Sequence, residues 1–441
     1  MVFHGSWRRA GMFVAACAAS LALAACGGLG ESEDQGGEGG KVTLSFLVDN
    51  SEQTLKPANA LASAFKAKNP DITVKVETRP QGGDGDNVVK TRLATGEMSD
   101  VFQYNSGSLF QALSPVKNLV PLKDEPWVES LDKSFIPSVS AGDNVYGAPW
   151  GASIGGGILY NKKVYEKLGV HVPKTWDEFM ANNAKAKAAG VAPVIQTYQD
   201  TWTSQLLVLA NHHNVATADA GWADKYTKNQ AKFAQEPALE GFKHLEEVHK
   251  ANYMNKDFAS AKFEQGLGDL AEGKGAHYPI LTFAVGAIAG ANPKEIGDIG
   301  FFALPGKDAA DNGLTLWLPA GAYIPKTTKG AKLDAAKKFL AFVTSPEGCD
   351  VQSKAYTPAG PYLAKGCELP DDVPAAIKDI QPYVDDGNVT PALEFQSPVK
   401  GPALEQITVE VGSGLRSAPS GAALYDKDVK KQAQQLGLEG W

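Results

Sequence analysis

Between residues 42 and 104 the apolar pattern switches from a strand period to a helix period and back. This alternation limits the fold more than any other feature of the chain. Residues 42–48 form an apolar run with β-branched members, as in a buried strand. Leu55, Ala58, Ala62 and Phe65 then fall on one helical face, which stops at Asn69-Pro70. Residues 72–76 alternate apolar and polar, residues 88–95 read as a helix, and residues 101–104 as the next strand. This βαβ rhythm predicts a mainly parallel sheet with helices on both faces. It restarts after Tyr146-Gly147-Ala148-Pro149-Trp150, with a strand at 158–160 and a helix at 163–168. Thr175-Trp176-Asp177-Glu178 is a capping box, and its helix should run to about Ala189 and stop at Gly190. Helices near 203–212, 237–251, 261–272 and 332–343 and strands at 277–280, 299–304 and 322–324 follow. The last 70 residues read as mostly helical. With 441 residues there is room for two or three domains.

The first 26 residues read as an export signal. Arg8 and Arg9 precede a small, apolar run, residues 11–25, shorter than the roughly 20 residues of a spanning helix. The run ends in Leu23-Ala24-Ala25-Cys26, which resembles a bacterial lipobox. Cleavage before Cys26 would leave its thiol to carry a diacylglyceryl group; an ordinary signal peptide with an incidental cysteine is the alternative. Residues 27–40 are rich in Gly, Glu, Asp and Ser, a composition that buries no core and acts as a flexible tether. Residues 1–25 are therefore expected to be a lipoprotein signal peptide, and residues 26–40 the lipidated cysteine and tether. The body would sit at the outer face of the cell membrane, lipid-anchored in a Gram-positive cell, or on the periplasmic side. The formal net charge of −8 becomes −10 without the leader, which carries two arginines and no acids; neither value suits a nucleic-acid groove.

Export also bears on the cysteines. Cys17 leaves with the leader and Cys26 is the anchor, so Cys349 and Cys367 remain as an even pair in an oxidising compartment. A disulfide between them is expected, worth about 3 kcal/mol for a short closed loop. Two separate buried thiols are the alternative, and no CxxC or HExxH suggests a metal.

Four passages resemble one family. They are Thr95-Gly96-Glu97-Met98-Ser99-Asp100-Val101; Tyr146-Gly147-Ala148-Pro149-Trp150 with Leu159-Tyr160-Asn161-Lys162-Lys163; Pro173-Lys174-Thr175-Trp176-Asp177-Glu178-Phe179; and residues 299–305 with Ala336-Lys337-Lys338-Phe339-Leu340 and Thr344-Ser345-Pro346-Glu347. In order and spacing they are similar to family 1 of the extracellular solute-binding proteins. These are carbohydrate-binding lipoproteins of ABC importers, related to maltose-binding protein, and the resemblance covers nearly all of residues 41–441. Ser99 stands where the family usually has proline. Phe283, in Tyr278-Pro279-Ile280-Leu281-Thr282-Phe283, stands where it often has a sugar-stacking tryptophan; the ring can still stack but lacks the indole N–H.

The resemblance implies an α/β fold of the two-lobed periplasmic-binding-protein type II, each lobe a mainly parallel sheet flanked by helices. Crossovers are expected near residues 149–153, 313–318 and 358–366. Lobe 1 would take residues 41–150 plus 316–362, and lobe 2 residues 151–315 plus 363–441. Gly155-Gly156-Gly157, just past the first crossover, suits close packing. Closure would be hinge bending around the ligand, with the importer reading the closed form.

A sugar presents hydroxyls and weakly apolar C–H faces, so its site needs aromatic plates beside planar polar groups. Pockets in such folds lie at the C-terminal ends of strands. Asp49, Asn50, Ser51 and Glu52 follow the first strand, and Asn105 and Ser106 follow the third; the same residues also serve as turn formers. Arg79 and Gln81 follow the second strand and either bond ligand or face solvent. Trp150 and Trp317 lie at crossovers, Trp202 in a loop that relatives turn toward ligand, and Phe395 with Gln396 where the family tends to place a last stacking residue. Trp176 is assigned to the core.

Gly151-Ala152-Ser153-Ile154-Gly155 matches G-x-S-x-G, but a strand follows where a nucleophile elbow needs a helix. The function expected is therefore a receptor and not an enzyme. It would be a substrate-binding lipoprotein of an ABC importer that captures a di- or oligosaccharide between its lobes and delivers it to the permease subunits. It would need no cofactor or metal and would work as a monomer held to the membrane by its lipid. The same fold binding a peptide or a metal chelate is the alternative, with a secreted hydrolase behind it.

Overall fold

The computed structural model describes residues 40–441. The expected signal peptide, Cys26 and the tether up to residue 39 lie outside the described residues. The strands are β1 (Val42–Asp49), β2 (Ile72–Arg79), β3 (Val101–Tyr104), the small pair β4 (Ser140–Ala141) and β5 (Asn144–Val145), β6 (Gly147–Trp150) and β7 (Ile154–Asn161). They continue as β8 (Ala192–Val194), β9 (Gly275–Leu281), β10 (Ile299–Ala303), β11 (Leu314–Trp317), β12 (Ala320–Tyr323) and β13 (Val389–Pro391). No helix among the described residues is long and apolar enough to cross a membrane.

Two sheets carry all of these strands except the separate β4–β5 pair. The first has the order β2-β1-β3-β12-β6, and the second β13-β11-β7-β9-β8 with β10 also on β7. In the first sheet β1 is parallel to β2 and β3, while β12 is antiparallel to both β3 and β6. Four strands thus share a direction and β12 opposes them. In the second sheet β7 is antiparallel to β9, β10 and β11, while β8 follows β9 and β13 follows β11. Again one strand opposes the rest. The two reversed strands have one cause. β7 follows β6 after three residues and β12 follows β11 after two, so each enters its sheet directly from the other. Such a strand starts at the edge where the resident strands end, and must run against them. Parallel neighbours need a helical crossover that brings the chain back to the starting edge. The expected fold class forms; by direction its sheets are mainly parallel, and β7 and β12 make the ladders mixed.

The helices follow the apolar faces read from the sequence. Glu52–Lys68 buries Ala58, Leu61, Ala62 and Phe65. Phe65, Phe339, Phe46 and Trp150 then meet edge to face at 5.0–5.4 Å through the core of the first sheet. The capping box forms: Thr175 caps the Glu178 amide while Glu178 accepts from the Thr175 N–H. Trp176 is core as expected, stacked on His244 at 3.7 Å. Trp222 is buried too, stacked on Tyr226 at 5.0 Å. Gly155, Gly156 and Gly157 lie in β7, and a Cβ on Gly156 would come within 2.1 Å of Trp317 Cζ3. Cys349 and Cys367 form the expected disulfide, with Cα atoms 5.7 Å apart.

Candidate functional site

The same topology aims both sheets at one cleft. Strands β1, β2, β3 and β6 end in Asp49, Arg79, Tyr104 and Trp150, and Asp49, Arg79, Asn105 and Trp150 all line a cavity of about 470 Å³. The back of this cavity is made by chain passing between the sheets: Gly151 and Ala152 after β6, Pro319 before β12, and residues 356–359 with Tyr362. These passages are tied together. Both the amide and the hydroxyl of Ser153 donate to the Pro361 carbonyl, at 2.8 and 2.7 Å. The Thr282 hydroxyl donates to the Ala359 carbonyl at 2.6 Å while accepting from the Gly155 amide at 2.8 Å. Ser153 is fully buried, which removes the nucleophile-elbow reading of its motif.

The polar groups on the first sheet's side are held in place. Asp49 accepts from the Ser51 amide and the Thr54 hydroxyl, both at 2.9 Å, and from the Ser51 hydroxyl, so it anchors the start of the Glu52–Lys68 helix. Arg79 is 5% exposed. Its guanidinium donates to the Gln103 side-chain oxygen at 3.3 Å and the Pro80 carbonyl at 3.1 Å, and enters no ion pair among the described residues. Beside it the Tyr104 phenol is held far above its ordinary pKa by burial, reinforced by the Asp86 carboxylate. Asn105 is exposed to the cleft, and its carbonyl accepts from Tyr323 at 3.1 Å.

A second cavity, of about 660 Å³, continues from the first and shares Asn105, Leu109, Ile154 and Ala320 with it. Trp317, at the end of β11, and Phe395, soon after β13, form its aromatic wall. The Phe395 ring abuts Gly107, where φ is +70° and an added Cβ would lie 2.8 Å from Cδ1.

The remaining expected residues lie elsewhere. Asn50 and Glu52 are exposed and line neither cavity; Glu52 pairs with Lys56 at 2.7 Å. Gln53 and Pro57, one turn apart, hold the cleft face of that helix, and one residue of rotation carries Glu52 and Lys56 off it. Trp202 and Phe283 line neither cavity and join Phe263 in an aromatic triangle with centroids 5.2–6.0 Å apart. The triangle lies beyond the C-terminal ends of β8 and β9, next to the Thr282 bridge to Ala359. Gln396 is exposed, donates to the Pro391 carbonyl at 3.1 Å and meets His212 at 3.4 Å. Conversely, Gln352, Tyr356 and Tyr362 line the inner cavity without having been singled out from the sequence. Their only sequence signal is their place in and beside the third expected crossover. Among the described residues no three His, Cys, Asp or Glu side chains gather as metal ligands.

Comparison with known proteins supplies an independent line. Residues 49–348 match the family described as bacterial extracellular solute-binding protein. The multiple sugar-binding protein of Streptococcus mutans is 28% identical over 337 residues, 74% of this chain and 76% of that protein. The melibiose/raffinose/stachyose-binding protein of Bacillus subtilis is 23% identical over 352 residues, 76% of this chain and 77% of that one. A solved chitin oligosaccharide binding protein superposes with a TM-score of 0.75 at 21% identity, covering 90% of this chain and all of the other.

Proposed function

Because the chain belongs to the bacterial extracellular solute-binding proteins, we propose that it is the substrate-binding lipoprotein of an ABC importer. It captures a di- or oligosaccharide in the cleft and delivers it to permease subunits. The sugar-binding relatives support this class. The observation that carries it is a continuous cleft with both kinds of lining: Asp49, Gln103 and Asn105 at the strand ends of the first sheet line its inner part, and Trp317 and Phe395 beyond the strand ends of the second line its outer part. The amides and the carboxylate suit hydroxyls, and the rings suit C–H faces. Asp49, Asn105, Trp150, Trp317 and Phe395 are the contacts proposed in the open cleft. Trp202 and Phe283 would join if the lobes turn toward each other about the three crossovers. The lobes are taken as residues 41–150 plus 316–362 and 151–315 plus 363–441. Cys26 is proposed as the lipid anchor on the outer face of the membrane, and the chain as a monomeric receptor without catalysis.

Thermal unfolding of the full-length protein against a sugar panel tests this, with peptides and ferric chelates as controls. A ligand at a hundredfold excess over Kd should stabilise the fold by about 2.7 kcal/mol. A shift with peptides or chelates and none with any sugar would overturn the carbohydrate reading.

A further inference from the structure

We propose that the inner cavity carries an anion site, built by Arg79 and the start of the Gly82–Thr95 helix, and that the saccharide it takes is an acidic one, bearing a carboxylate or a phosphate. This rests on the cleft being a saccharide site and adds the charge of the ligand.

Arg79 ends β2 and lines the inner cavity. Among the described residues it is the one Lys, Arg, Asp or Glu side chain that is buried. Its hydrogen bonds go to neutral oxygens, the Pro80 carbonyl and the carbonyl and side chain of Gln103, and its Nε is buried without a partner. A guanidinium is always charged, and holding that charge out of water is costly unless a counter-charge meets it. Two carboxylates line the same cavity, and neither forms an ion pair with Arg79. Asp49 accepts from Ser51 and Thr54, and Asp86 stands beside the Tyr104 phenol.

The Gly82–Thr95 helix starts against this charge. Gln81, Gly82 and Gly83 line the cavity, and the Gln81 side chain makes no capping bond. The amides of Gly82, Gly83 and Asp84 lie in the first turn, where a helix supplies no acceptor, and they donate to no other described residue. Gly82 and Gly83 have no side chain to cover them, and Asp84 is exposed and lies off the cavity. The guanidinium sits at the same turn: a Cβ added to Gly85 would come within 2.5 Å of Arg79 Nη1. The helix after β1 differs, because Asp49 holds its entry from within the chain. No carboxylate accepts from the entry of the helix after β2, so its open amides and the positive end of its dipole add to the Arg79 charge. A carboxylate or phosphate set there accepts from the amides and meets the guanidinium with charge-assisted bonds. A neutral hydroxyl leaves the Arg79 charge unmet.

The test is calorimetry on the full-length protein at neutral pH, with each neutral sugar of the panel paired with its uronate and its phosphate ester. In the wild type one anionic form should bind about tenfold tighter than its neutral parent, or about 1.4 kcal/mol. Which form does so separates a uronic acid from a sugar phosphate. Gly83→Asp sets a carboxylate at the same amides, and the advantage of the anionic form should then fall to within about twofold. Gly83 is exposed and an added Cβ meets nothing within 4 Å, so thermal unfolding without ligand should not worsen and will verify folding. Arg79→Gln should remove the same advantage; if that buried substitution does not fold, Gly83→Asp decides alone. Neutral sugars that bind as tightly as both anionic forms, or an advantage that survives Gly83→Asp, overturn the anion site and leave saccharide capture standing. Binding of no sugar, charged or neutral, overturns saccharide capture and this inference with it.

Discussion

Trp150 and Phe395 place two aromatic rings on one cleft with different loads. Trp150 is 6% exposed and meets Phe46 edge to face at 5.0 Å, so it belongs to the core of the first sheet as well as to the cavity wall. Phe395 is half-buried and wedged against Gly107. Trp150→Ala should cost about 3–5 kcal/mol of unfolding free energy together with ligand affinity. Phe395→Ala should cost affinity with a stability loss of about 1 kcal/mol or less. Urea unfolding and ligand titration on each variant decide the matter, and equal stability losses would contradict the division. The same scale shows what was legible. Strand-end logic led to Asp49 and Asn105, and the expected crossover to Trp150, all of which line the inner cavity; the same logic led to Asn50, which does not. It could not tell Gln53 from Glu52, because a helix turns about 100° per residue and its starting phase is set by packing. Nor could it see that Gln396 turns away to His212, since a four-residue helix leaves no periodicity to read.

Among the elements, the Pro346–Ala355 helix ties two of the three passages between the sheets. Gln352 accepts from the Gly151 amide at 3.2 Å, and Cys349 is bonded to Cys367. The disulfide closes a loop holding Tyr356, Thr357, Pro358, Ala359 and Tyr362, all of them cavity residues. The Cys349→Ser/Cys367→Ser variant should lose about 3 kcal/mol of stability. It should also bind ligand more weakly, because the loop must be ordered on binding. Unchanged affinity would show that the Ser153 and Thr282 hydrogen bonds hold this wall without the disulfide. Long periodic elements such as Glu52–Lys68 and β1 were readable because burial imposes their period. Strands β6, β8 and β13 were not, since each is three or four residues long and contains a proline, which argues against a strand. They pair at positions that only the assembled sheets define.

Among the described residues four histidines are buried, and burial lowers the pKa of each, His213 included. Burial lowers His277 to about 3 and His212 and His244 to about 4, against roughly 6.5 in an unfolded chain. As pH falls from about 6.5 toward 4 the unfolded chain takes up protons that the native state refuses, so stability is lost across that window. Asp379 and Asp426, raised by burial, act in the opposite sense and blunt the loss. The urea midpoint should therefore drop between pH 7 and pH 5. His244→Gln should remove on the order of 1–2 kcal/mol of that dependence, and an identical pH profile in the variant would contradict the assignment. The chain's path between the sheets, finally, sets an order in time. β12 sits between β3 and β6, so the first sheet remains split until residue 323 has been synthesised, although its other four strands are complete by residue 150. The second sheet begins at residue 154 and waits for β13 at residue 389. The first sheet can close only after β7 to β11 of the second have been made, so it is no early-folding N-terminal domain. Through most of its synthesis the polypeptide holds no finished sheet, and a chain in that condition can still be threaded through a pore.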